Sequence, residues 1–224
     1  MFQLLPALRP DLSEHLYLRD PQDTALGRRM LAESVRMLDE IGFEAFTFKK
    51  VATAINSTEA SLYRYFENKH RLLTYLVSWH WAWLRFRVHF ALHNVPDPRL
   101  RLHQALAVVC QASTDDPATP NFDEAALYRV VVAEASKAYL TKDVDADNKA
   151  GMFREYKQLV ADLAEIVQAI NPTYPHPHAL VSTLLESARK QLFFAQHLPS
   201  LTDGANVLPF LEHLALSALS VDNK

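Results

Sequence analysis

The chain has 224 residues, 49% of them apolar and 22% charged, a formal net charge of −3 at pH 7, four glycines and one cysteine. That apolar share over this length can fill a sizeable core, and so few glycines without strand-like alternation point to an all-helical fold. The lone Cys110 cannot form an internal disulfide, no run approaches the roughly eighteen apolar residues of a membrane span, and MFQLLPALRPDL has prolines but no basic stretch ahead of an apolar one, so we expect a cytoplasmic protein without a signal peptide.

Residues 1–22 read as a loosely ordered arm, in which Tyr17-Leu18-Arg19-Asp20 either follows a minor groove or packs on its own protein; a first helix is expected near 24–41. The next stretch, GFEAFTFKKVATAINSTEASLYRYFENKHRLL, is the most informative. Phe48, Val51, Ala52 and Ile55 recur at helical spacing, and Leu62 and Phe66 repeat four apart beyond the polar turn Asn56-Ser57-Thr58. Thr47, Thr58 and Asn68 stand where N-caps belong, so three helix starts fall close together. Lys49 and Lys50 follow the first cap, and Lys69, His70 and Arg71 the third, where the helix macrodipole disfavours cations unless an anion docks there. Residues 47–71 carry five Lys/Arg against two acids, so a basic patch sits on an otherwise acidic chain.

These residues are the outline of a helix-turn-helix reader of DNA, and they resemble the DNA-binding head of the TetR family of transcriptional regulators. The resemblance rests on Leu62-Tyr63-Arg64-Tyr65-Phe66 followed by Lys69 and Leu72-Leu73, and reaches back through Gly42-Phe43-Glu44 to Ala25. It implies that Thr47, Lys50, Tyr63, Tyr65 and Lys69 touch phosphates, with Lys49 and Arg64 beside them, and that Thr58, Glu59, Ala60 and Ser61 face base edges. It also implies an all-helical effector-binding and dimerisation domain after the head, and repression as the sign of regulation. The chain departs from the family's turn: Asn56 replaces a glycine, Ser57 an apolar residue, and Glu59 puts an acid on the reading helix. Asn tolerates a left-handed backbone. Glu59 either stabilises the helix start or accepts from a cytosine amino group.

Beyond the head we expect a long helix over 69–93, ended by Pro96 and Pro98, and helical segments near 98–113, 122–140, 144–170, 178–197 and 205–219. The organisation is thus an arm (1–22), a helix-turn-helix domain (23–72) and a helical effector-binding and dimerisation domain (73–224). Trp79, Trp83 and Phe86 share one side of the long helix. With Tyr128, Phe153 and Tyr156 they form either core or the wall of a cavity for a small hydrophobic or aromatic effector. Leu184, Ala188, Leu192, Leu211, Leu214 and Ala215 give the last two segments more apolar surface than one side of packing needs, which suggests a homodimer interface unless they pack on their own subunit. A dimer would set two reading helices about 34–36 Å apart on a palindromic operator of double-stranded DNA.

His89, His93 and His103 lack a carboxylate or thiol to complete a metal set, and the chain has no nucleophile elbow, phosphate loop or suitably placed carboxylate pair. We therefore expect a non-enzymatic regulator with no metal, cofactor or membrane partner. The class-distinct alternative is a helical small-molecule-binding or adaptor protein whose head no longer reads DNA.

Overall fold

The computed structural model describes residues 12–111 and 123–220. They form helices without strands: α1 (Ala25–Ala45), α2 (Phe48–Ala54), α3 (Glu59–Leu62), α4 (Lys69–Ala91), α5 (Pro98–Cys110), α6 (Glu124–Glu134), α7 (Ser136–Tyr139), α8 (Val144–Lys149), α9 (Arg154–Ile170), α10 (Pro177–His197) and α11 (Leu208–Ser220), with short 3-10 turns at Glu14–Leu16, Pro21–Asp23 and Pro199–Leu201.

Local chemistry sets the starts. The Thr47 and Thr58 hydroxyls accept from the Lys50 and Ser61 amides at 3.3 Å, and Asn68 Oδ1 accepts from the Arg71 amide at 2.9 Å. Asp97 accepts from the amides of Arg99 and Leu100 ahead of α5, whose first residue is Pro98. Three expectations are corrected. The segment 122–140 divides at Ala135 into α6 and α7, and its start at 122 lies outside the described residues, as does the expected end of the 98–113 segment. The segment 144–170 is two helices, because the chain turns at Gly151 with φ 75° between α8 and α9. The arm, described from residue 12, is packed rather than loose. Leu12 and Leu16 are buried, Leu18 N–H donates to Tyr65 O at 2.8 Å, Ser13 Oγ donates to Ala150 O at 2.8 Å, and the Tyr17 ring meets Tyr75 edge-on at 6.1 Å. Pro21 lies so close to α1 that a Cβ on Gly27 would stand 2.2 Å from Pro21 O.

The described residues fall into two compact units, 1–83 with 113–155, and 84–112 with 156–224. In the first, Met30, Leu31, Val35 and Leu38 of α1 join Phe48, Val51, Leu62 and Phe66 in the core of a three-helix head, all nearly solvent-free. The same unit holds Leu72, Leu73, Leu76, Trp79 and Trp83 of α4 and Leu127, Val130 and Val131 of α6. Burial of this kind, at about 25 cal/mol per Å² of apolar surface, is what holds helices this short in place. In the second unit the core is Leu102, Ala105 and Leu106 of α5, Leu159, Leu163 and Val167 of α9, Leu184 and Ala188 of α10, and Leu211 and Ala215 of α11. Cys110 lies partly buried at the end of α5, and burial pushes its thiol up to about 11, which leaves it unreactive at neutral pH.

Candidate nucleic-acid interface

The turn between α2 and α3 is built around Asn56, whose φ of 51° is the left-handed conformation that a glycine would supply, and Ser57 N–H closes it on Ala52 O at 2.8 Å. Arg29 donates a guanidinium N–H to Ile55 O and so ties the end of α2 to α1. On the far side of the turn Thr58 and Ala60 are exposed and Ser61 is half-exposed at the start of α3, with Thr58 and Ser61 sharing a hydroxyl bond of 2.8 Å. The tip of the head is therefore polar, free of bulky side chains and open to a groove. Glu59 stays near its own helix, where its carboxylate is 3.5 Å from the Tyr63 hydroxyl.

Tyr63 is 47% exposed, its ring set edge-on to Phe48 at 5.0 Å. Tyr65 is different. It is only 4% exposed and its hydroxyl lies 2.6 Å from Thr24 Oγ1, at the cap of α1, so it joins helices inside the head and presents no surface to a phosphate.

The expected cations divide in the same way. Lys49 and Arg64 are exposed, and their charged groups pair with no described residue. Lys50 is exposed and donates to Ala45 O at 2.8 Å. Lys69 is turned inward: its ammonium donates to the carbonyls of Phe43 (2.9 Å), Glu44 (3.2 Å) and Phe46 (3.2 Å), which accounts for its three N–H groups. Arg71 pairs with the buried Asp147 of α8 at 2.7 Å. The cation cluster at the start of α4 therefore satisfies the protein's own acceptors. The sequence showed the charges there, but not the acceptors, which lie 23 to 76 residues away.

His70 completes that cluster without adding charge. Burial pulls its imidazole below the ordinary value, against the upward pull of Asp147 and Asp143 and with help from Arg71. Because the folded value lies below the unfolded one, the unfolded chain takes the proton first, and stability falls as pH drops below about 6.5. His70→Asn is expected to remove that part of the slope. Urea midpoints at about pH 7.5 and about pH 5.5 check it, and equal slopes in both proteins would assign the acid sensitivity elsewhere.

The six aromatic residues expected around an effector divide between the two units. Trp79 and Trp83 are buried one turn apart in the first unit, and the His80 ring lies 6.0 Å from those of Trp83 and Tyr128. Phe153 packs edge-on against Tyr139 at 6.4 Å. In the second unit Phe86 is 49% exposed, and the Tyr156 hydroxyl donates to Glu186 at 3.1 Å. Of the residues expected at a dimer interface, Leu184, Ala188, Leu211 and Ala215 are buried within their own unit, and Leu192 and Leu214 keep surface. Of the expected histidines, His89 pairs with Asp162 at 2.8 Å and His103 with Glu212 at 2.6 Å.

Residues 30–76 match the family model described as bacterial regulatory proteins, tetR family. No curated protein matches the chain. Among solved structures it is similar to the fatty acid degradation regulator FadR from Bacillus halodurans, with 14% identity over 90% of this chain and 97% of that one and a TM-score of 0.63. The ketosteroid transcriptional regulator KstR2 of Mycobacterium tuberculosis is similar at 16% identity over 85% and 91% of the two chains, with a TM-score of 0.54. AibR, solved in complex with isovaleryl coenzyme A and operator DNA, shares 18% identity over 86% and 95%, with a TM-score of 0.56. Likeness at these identities is one of fold. The head, residues 30–76, thus matches the tetR family of bacterial regulatory proteins, and the helical body behind it shares the fold of these regulators.

Proposed function

We propose that this DNA-binding transcriptional regulator is a repressor that sits as a homodimer on a palindromic operator and leaves it when a small hydrophobic effector binds. Residues 23–72 would read DNA and residues 73–224 would bind the effector and dimerise. The observation that carries the reading is the exposed, polar start of α3 together with two exposed cations that pair with no described residue; on this reading Thr58, Ala60 and Ser61 face base edges, and Lys49 and Arg64 meet phosphates. Thr47, Lys50 and Tyr63 are further phosphate contacts on exposed surface. The effector is hydrophobic or aromatic in this reading because the rings of Trp81, Trp83 and Tyr128 lie around the buried His80. The structural relative AibR, with both a thioester of coenzyme A and operator DNA bound, supports the pairing of these two ligands. The protein is non-catalytic and cytoplasmic on this account; no helix among the described residues is long and apolar enough to cross a membrane.

A second reading, a helical binding protein whose head no longer reads DNA, draws support from the inward commitment of Lys69, Arg71 and Tyr65. One experiment decides between them. Purified protein is titrated against a pool of random duplexes at two salt concentrations and the bound fraction is sequenced. A DNA reader is expected to enrich an inverted repeat with a steep salt slope. No enrichment at either salt concentration would leave the second reading.

A further inference from the structure

The chain changes direction between α1 and the reading pair at Gly42, where φ is 71° and ψ 168° inside an otherwise helical run. Such a break interrupts the helical hydrogen bonding around it, and a buried amide so released needs another acceptor. Glu134, the last residue of α6, supplies it: Oε1 accepts from Phe43 N–H at 3.0 Å, and the residue as a whole is 9% exposed. Its other oxygen holds Lys137 at 2.8 Å, and Lys137 reaches on to Glu44 at 3.0 Å. On the near side of the break, Arg129 of α6 grips Asp39 with two nitrogens at 2.7 to 3.1 Å. The elbow's carbonyls go to Lys69, the first residue of α4, and the Lys69 and Lys137 ammonium groups stand 4.6 and 5.5 Å from the centre of the Phe43 ring.

The N–H side of this elbow thus belongs to α6 and its C=O side to α4. Glycine has little steric preference among backbone conformations, so the angle at residue 42 is set by what holds it from outside. Only Thr47 separates the elbow from α2, so that angle is carried directly into the helix-turn-helix.

We infer that Glu134 is a positioning residue for DNA reading: by holding the Phe43 amide across the Gly42 break, it fixes the orientation of α2 and α3 on the rest of the first unit. This rests on the head reading DNA as proposed above. Glu134 touches no DNA, so its loss acts on affinity without removing a phosphate contact. The carboxylate is needed as an acceptor more than as a charge, so an amide in its place serves, whereas a methyl group does not.

The test compares wild type, Glu134→Ala and Glu134→Gln on the duplex selected by the wild-type protein, far below their melting temperatures. Glu134→Ala is expected to bind about tenfold more weakly with an unchanged salt slope, and Glu134→Gln to stay within about twofold of wild type. A role in stability alone would lower melting temperature and leave affinity at the assay temperature intact, which overturns the inference, as does an equal loss in the glutamine variant. Hydrogen exchange at the Phe43 amide is read in parallel and needs no DNA. It is expected to be slow in wild type and about tenfold or more faster in Glu134→Ala. Should Glu134→Ala not fold, wild-type exchange at Phe43 as fast as at exposed amides of the head overturns the inference. If the wild type selects no duplex, the proposed function fails, while the exchange result still decides whether Glu134 holds the elbow.

Discussion

Replacing Lys49 and Arg64 together by alanine is expected to weaken binding to the selected duplex by about ten- to a hundredfold and to lower its salt slope by about two. Both side chains are exposed and unpaired among the described residues, so folding asks nothing of them and their removal leaves the head intact. Each cation that meets a phosphate releases about one counterion, and the slope therefore counts contacts, where affinity alone does not. Lys69→Ala is the contrasting variant. Its ammonium caps three carbonyls of the elbow, so it is expected to lose stability and affinity while the slope stays near the wild-type value. Anisotropy titrations at three or more salt concentrations separate the two behaviours. A slope that falls for Lys69→Ala and holds for the double variant would reverse the assignment and move the phosphate contacts from Lys49 and Arg64 to the start of α4.

That contrast shows which parts of the site are legible in one dimension. The caps Thr47, Thr58 and Asn68, the apolar faces of α2 and α3, and the left-handed Asn56 all depend on neighbours within four residues, and the sequence pattern carries them in full. Lys69, Arg71 and Tyr65 look like surface residues for the same reason: nothing within a helical turn of them hints at the Phe43 carbonyl, Asp147 or Thr24. Glu134 is the extreme case. It stands in VVVAEASK as one acid after an apolar run, and its partner amide lies 91 residues earlier. Gly151 is a local signal of the break between α8 and α9. The periodicity on either side of it is strong enough to read as one helix, although a glycine between two helical runs is a common helix stop. The residues of α10 and α11 keep both readings open in the sequence, because an amphipathic pattern identifies which side of a helix is apolar, but not whether its own subunit or a partner covers that side.

Leu211→Ala tests that last distinction. Leu211 is fully buried within the second unit, where α11 packs on α5 and α10, so the substitution is expected to cost about 2–5 kcal/mol, cavity included. For a chain of this size that corresponds to a fall in melting temperature of roughly 5–15 °C, independent of protein concentration if the site is core. Leu192→Arg with Leu214→Arg probes the other face. Both residues keep surface, and a charge on each is expected to convert a dimer to monomer in sedimentation while costing the fold little. DNA affinity should then drop steeply, because the second half-site is no longer bound by a linked head. If instead Leu211→Ala dissociates the dimer at unchanged stability, the buried side chain must become exposed when two copies meet. The helices would then have to repack on association, and the monomer core described here would be that of the unassembled chain.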